Sequence, residues 1–206
     1  MFRKTFLLAV VFISVIFAFN IYAKSKKVNS DGLQRGDKMI DFGMKYLDVK
    51  TGQLGEETIW LGNFVGSGSR KYPKKLVLLN FYATWCVPCI KEFSFLQAMY
   101  QKYSQKGLMV LSVNFRTGGE AFEDALKISA GLIKKNKMTY PVLFDRFTNR
   151  NQTYYMGDKA ILPCLLLIDE DGYIIEKFTG EGSKDLKYIE SVIKKGLGIK
   201  RKSLSI

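Results

Sequence analysis

An α/β fold, a central mixed β-sheet flanked by helices on both faces, follows from three features of the 206-residue sequence. Two uninterrupted apolar runs, LVLLNFYA (76–83) and LMVLSVNF (108–115), have strand length and no polar alternation, as strands covered on both faces require. Between them the period changes, because Phe93, Leu96, Tyr100 and Tyr103 fall on one helical stripe. Strand, helix and strand at these lengths make a βαβ unit. Finally, ILPCLLLID and YIIEKFTG flank the turn residues Asp171-Gly172, which predicts an antiparallel pair closing the sheet.

In chain order, residues 1–23 open with Arg3 and Lys4, followed by nineteen uncharged, mostly apolar residues from Thr5 to Ala23. That is the pattern of an export signal, either cleaved or retained as a membrane anchor. Residues 24–35 are polar and basic and read as a tether. The folded domain is expected over 36–198, and 199–206 form a basic tail. Phe42 to Leu61 predicts an N-terminal β-hairpin turning at Lys50-Thr51-Gly52, and Gly62 to Lys75 predicts a glycine-rich basic loop. The first strand is expected at Leu76–Ala83, the first helix at Cys86–Gln105 and the next strand at Leu108–Phe115. A second helix follows from Glu120 to Lys135, then a strand at Val142–Asp145. NRNQTYYMGDKA (149–160) reads as irregular, and a basic helix from Ser183 to Lys195 ends the domain.

The chain holds no histidine, which removes Ser-His and Cys-His catalysis, haem ligation by histidine and most zinc enzymes. Its 32 basic and 19 acidic residues give a net charge of +13. No nucleic-acid recognition module accompanies those charges, so no nucleic-acid partner is expected. They read as a solvated surface, with attraction to an anionic membrane as the other use.

Of three cysteines, two stand in YATWCVPCIKEF, residues 82–93. A C-x-x-C pair serves as half of a metal site, as a structural disulfide or as a redox pair. A zinc site needs about four ligands, and only Cys164 remains to supply sulfur. A structural bond across so short a loop constrains little. The third reading has a physical reason: Cys86 falls where a central strand meets the N-terminus of a helix. The unpaired amides and dipole there favour an anion, and the thiolate is the nucleophile. Pro88 falls in the first turn, where its missing N–H costs nothing. Cys89, three residues on, can attack a mixed disulfide formed at Cys86.

NFYATWCVPCIKEF resembles the active-site segment of the TlpA/ResA-like thioredoxins, exported bacterial thiol-disulfide oxidoreductases with a CxxC pair. The similarity extends through the element order and the proline of ILPCLLLIDEDG, over roughly 36–198. It implies a thioredoxin fold, Cys86 as the attacking thiol, Cys89 as the resolving one, and Trp85 covering the pair against substrate. Glu92 matches the family's acidic position after the second cysteine. Three helical residues put its carboxylate on the Cys89 side, where it can exchange a proton. Asn80 stands where cytoplasmic thioredoxins keep a buried aspartate. Pro163 matches the family's cis-proline, which turns the Leu162 backbone outward toward an incoming peptide. Two departures stand out. Ser94 replaces a helix-kinking proline, and Cys164 follows Pro163 where a threonine-like residue is usual; it reads as a buried small hydrophobe, the alternative being a reactive thiol or a link to a partner.

Val87-Pro88 between the cysteines brings neither charge nor donor, unlike the histidine of strong oxidants, so the expected potential is on the reducing side. The resemblance implies a reductase of disulfides in exported proteins. Apocytochrome c is one substrate class, and a DsbD- or CcdA-like membrane carrier is the electron donor. The GVxGxPE-like stretch of cytochrome-specific members is not matched by YMGDKAILPC. No cofactor or metal is expected. The alternative is a non-enzymatic thioredoxin-fold module for binding or assembly.

Overall fold

The computed structural model describes residues 30–68, 70–116, 119–144, 150–180 and 185–199. Seven strands, β1 (Gly43–Asp48), β2 (Gln53–Trp60), β3 (Leu76–Tyr82), β4 (Leu108–Asn114), β5 (Val142–Phe144), β6 (Cys164–Asp169) and β7 (Ile174–Thr179), form one sheet. Their order is β2-β1-β5-β4-β3-β6-β7. The helices are α1 (Val87–Tyr103), α2 (Phe122–Lys135), α3 (Arg150–Met156) and α4 (Leu186–Gly196).

β3 and β4 pair in parallel from Leu76↔Leu108 to Tyr82↔Asn114, and β5 continues that direction beside β4. Every residue of β3 and β4 is buried, which is why their sequences run apolar without alternation. Leu76, Leu78 and Tyr82 point into one layer with Phe93 and Leu96 of α1, Leu126 of α2 and Ile189 and Ile193 of α4. Val77, Leu79 and Phe81 point into the other, with Leu33, Phe64, Val65 and Tyr155 of α3. Helices therefore cover both faces, three on one side and the short α3 on the other.

The hairpin of β1 and β2 is present, with Asp48↔Gln53 as its last pair. Asp48 caps the turn by accepting from Lys50 N at 2.8 Å, and Gly52 takes the positive φ the turn requires. β1 also pairs antiparallel with β5, so the hairpin widens the sheet on that edge. The β6–β7 turn uses Asp169 Oδ1, which accepts from Asp171 N and Tyr173 N.

Several boundaries shift from the sequence expectation: β3 ends at Tyr82 rather than Ala83, and α1 spans Val87–Tyr103 rather than Cys86–Gln105. α2 starts at Phe122 rather than Glu120, and β4 ends at Asn114. The expected end of β5 at Asp145 and start of α4 at Ser183 lie outside the described residues. α4 itself is capped by Asp185, whose side chain accepts from Lys187 N.

One assignment is corrected. NRNQTYYMGDKA, expected to be irregular, contains α3. Its periodicity is too short to see, and tertiary contacts hold it. Tyr155 is fully buried, its hydroxyl donating to Ile40 O at 2.5 Å and accepting from Ile40 N at 3.1 Å. Gln152 Nε2 donates to Asn114 O at 3.2 Å. Gly157, at φ +81°, ends the helix. A Cβ there would sit 2.2 Å from Ser30 O, because the chain before β1 passes directly over it. Residues 30–35, read as the end of a tether, thus pack on the domain. Leu33 is buried and its N–H donates to Tyr154 O at 2.9 Å.

Candidate active site

β3 ends at Tyr82, and the chain turns through Ala83-Thr84-Trp85 into α1. Cys86 N donates to Ala83 O at 3.1 Å, which closes the turn and leaves Cys86 as the N-cap of α1. From there Cys86 O accepts from Ile90 N at 3.1 Å, and Cys86 Sγ accepts from Cys89 N at 3.3 Å. The sulfur thus takes one of the amides that a helix start leaves without an internal partner. Pro88 in the first turn adds none. The same amide and the helix dipole favour a thiolate at Cys86 once the bond is reduced.

Cys86 and Cys89 are joined by a disulfide with Cα atoms 5.3 Å apart. Cys89 has no exposed surface and Cys86 only 4%, so a partner from solvent meets Cys86 first. The residues around that opening are apolar and exposed, Trp85 at 56% and Val87 at 60%. The pairing Phe81↔Cys164 carries the start of β6 alongside the end of β3. This brings the cis Leu162–Pro163 bond to the edge of the sheet from which the cysteine turn leaves. Pro163 O accepts from Gly180 N at 2.9 Å, Leu162 packs against both core layers, and Ile161 is exposed.

Glu92 lies one helical turn beyond Cys89 on α1, half-buried, with its Oε2 in the interior. Beside it Phe93 packs edge-on against Tyr82, with ring centroids 5.1 Å apart. Asn80 is fully buried and donates from Nδ2 to Ser112 Oγ at 3.0 Å. α1 runs helical through the exposed Ser94. Cys164 is buried and is not part of a disulfide. Among the described residues, no cluster of three His, Cys, Asp or Glu could hold a metal ion.

Two further residues belong to this site and carry no signal in the sequence. Thr84, buried two residues before Cys86, donates from Oγ1 to Glu120 Oε1, and the other oxygen of Glu120 is also buried. The carboxylate ahead of α2 therefore ties down the turn that presents the cysteines. Below it Tyr82 donates to Ser129 Oγ at 2.9 Å. Burial raises its phenol above the ordinary value, and the Glu120 charge adds to the rise, so Tyr82 stays protonated. Glu120 is 34 positions from Cys86, and only the sheet brings them together.

The model of the AhpC/TSA family matches residues 36–177. The chain belongs to the AhpC/TSA family. Among the relatives of this AhpC/TSA chain is the thiol-disulfide oxidoreductase ResA of Bacillus cereus strain ZK / E33L. It is 36% identical over 111 residues, which cover 54% of this chain and 58% of that protein. ResA of Bacillus thuringiensis subsp. konkukian is 28% identical over 159 residues, covering 77% and 80%. The first two relatives are spanned over only 58% and 63% of their length. Among solved structures, a Chlorobium tepidum protein described as a thiol:disulfide interchange protein DsbE superposes with a TM-score of 0.60. It is 28% identical, with coverage of 81% of this chain and all of that one. The thioredoxin domain of a Bacteroides vulgatus thiol-disulfide oxidoreductase, 20% identical with a TM-score of 0.56, shares the fold over 79% and 99%. This AhpC/TSA family chain thus has a thioredoxin fold with an N-terminal hairpin extension.

Proposed function

We propose that the protein is an extracytoplasmic thiol-disulfide oxidoreductase that reduces disulfides in exported proteins. The observation that carries the reading is the Cys86–Cys89 disulfide at the N-terminus of α1, with the Cys86 sulfur accepting an amide N–H and reachable from solvent. The names of the ResA and DsbE relatives support it.

In the reduced protein the Cys86 thiolate attacks a substrate disulfide. One sulfur–sulfur bond breaks, a mixed disulfide to Cys86 forms, and the leaving sulfur takes a proton. Cys89 then gives its proton to Glu92 and attacks the Cys86 sulfur. The substrate leaves as a dithiol, and the protein keeps the Cys86–Cys89 bond; two electrons have passed to substrate. Trp85 and the Leu162–Pro163 segment hold the incoming chain, the first by apolar contact and the second by backbone pairing. A membrane carrier of the DsbD or CcdA kind returns the electrons, and the N-terminal apolar segment keeps the protein at the membrane. Apocytochrome c, with its paired haem-binding cysteines, is one substrate class. Among the described residues no helix is long and apolar enough to cross a membrane; residues 1–29, which carry the apolar run, lie outside them.

The deciding measurement is the potential of the cysteine pair in the full-length chain, equilibrated against a glutathione or dithiothreitol series, with Cys86→Ser as the blank. A value well below about −180 mV is expected. A more oxidising value overturns the reductase assignment, and no exchange with any disulfide substrate would leave a binding module.

A further inference from the structure

At the end of the molecule opposite the cysteines, Arg70, Lys74, Lys75 and Lys106 line one concavity of about 650 Å3. Each lies at the far end of an element, or beside one, whose near end carries the candidate active site. Lys75 precedes β3, which runs toward Cys86. Lys106 follows α1, which starts from Cys86. Glu170, whose backbone carbonyl accepts from Arg70 Nη1 at 3.2 Å, follows β6, which begins at Cys164 beside Pro163. The length of α1 separates the two ends by about 25 Å.

The surface is built rather than incidental. Its loop is pinned by main-chain bonds, with Tyr72 N donating to Asn63 O, Lys74 N to Phe64 O and Lys75 N to Gly107 O, at 2.8 to 2.9 Å. Glu170 also lines the concavity, but among the described residues no carboxylate pairs with Arg70, Lys74, Lys75 or Lys106, whereas Glu57 and Glu190 are engaged by Lys71, Lys102 and Lys194. A second concavity, sharing Ile199 with the first, adds Lys187, Lys194 and Lys195. In the middle of RKYPKK (70–75) the ring of Tyr72 is 47% exposed, with the Lys71 ammonium 5.0 Å from its centroid. An exposed amphipathic aromatic among cations is the composition that sits at a headgroup boundary.

We propose that this basic end is a docking surface for an anionic lipid bilayer. Charge complementarity selects anionic headgroups, and Tyr72 selects an interface with an apolar side. The surface itself does not depend on the redox reading.

The test is amide hydrogen exchange of the full-length chain reconstituted in vesicles of phosphatidylcholine alone and of phosphatidylcholine with phosphatidylglycerol. Segments 70–75 and 104–107 should exchange several-fold more slowly in the anionic vesicles, with segment 84–90 unchanged. The difference should vanish in about 0.5 M salt, where screening is short-ranged. It should vanish too in Lys74→Glu/Lys75→Glu/Lys106→Glu, whose fold is checked by its unchanged protection in β3 and β4. A milder Lys→Gln set should give an intermediate effect. Equal exchange in the two lipids overturns the proposal. So does equal protection in neutral vesicles on adding single-stranded DNA or an acidic protein, which would make the surface a site for that partner. Redox exchange activity is read in parallel, so its loss is distinguishable from loss of docking.

Discussion

At the scale of single residues, the proposed exchange separates a nucleophile, Cys86, from the groups that serve it. Cys86 takes an amide N–H at the helix start, while Cys89 is sealed beneath it. Glu92, one turn on, is the carboxylate that α1 supplies on the Cys89 side. Glu92→Gln should slow disulfide exchange about tenfold to a hundredfold and leave the melting temperature in place. Stopped-flow rates across pH check this, and an unchanged profile removes Glu92 from the proton transfer. Thr84 acts differently, by binding Glu120 and so holding the turn before Cys86. Thr84→Val removes a hydrogen bond to a charged group and buries the remaining carboxylate oxygen without it. Denaturant unfolding should show a loss of about 2 kcal/mol.

Elements decide how the site is held from behind. The C-terminal end of α1 is clamped to α4 through Glu190, whose Oε1 accepts from Lys102 Nζ at 2.7 Å and from the Tyr103 hydroxyl at 2.5 Å. Lys194 on α4 adds a contact at 3.2 Å. These donors, Lys102 first, pull the Glu190 carboxyl down from 4.5 to about 2. A group depressed on folding stabilises the fold above its unfolded value. The contribution should be complete above about pH 4.5 and drain away as pH falls toward about 2. Glu190→Gln should flatten that part of the stability–pH curve, measured by chemical denaturation between those limits. α3 teaches the complementary lesson. Its seven residues are too few to display a helical stripe, and Tyr155 and Gln152 hold it from outside.

Over the whole molecule, one sheet sets a candidate catalytic end against a basic end, with the long axis of α1 between them. The segment before β1 closes the second core layer, and Tyr155 is its latch, since one hydroxyl serves both the N–H and the C=O of Ile40. Tyr155→Phe should cost about 1 to 2 kcal/mol in denaturant unfolding and leave the ring's packing on Phe42 and Phe81 in place.

The sequence alone determined the order of the strands and of α1, α2 and α4, because buried strands and amphipathic helices write their periods locally. It also located the cysteine pair, because a strand running into a helix start is legible from adjacent residues. Trp85, Val87 and Pro88 could be placed for the same reason. Only the tertiary structure decided that Glu120 reaches Thr84, that α3 is a helix, and that residues 30–35 belong to the folded layer. It alone gathered Arg70, Lys74, Lys75 and Lys106 behind the cysteines. Each of those depends on residues far apart in sequence meeting across a sheet, and neither periodicity nor spacing encodes such a meeting.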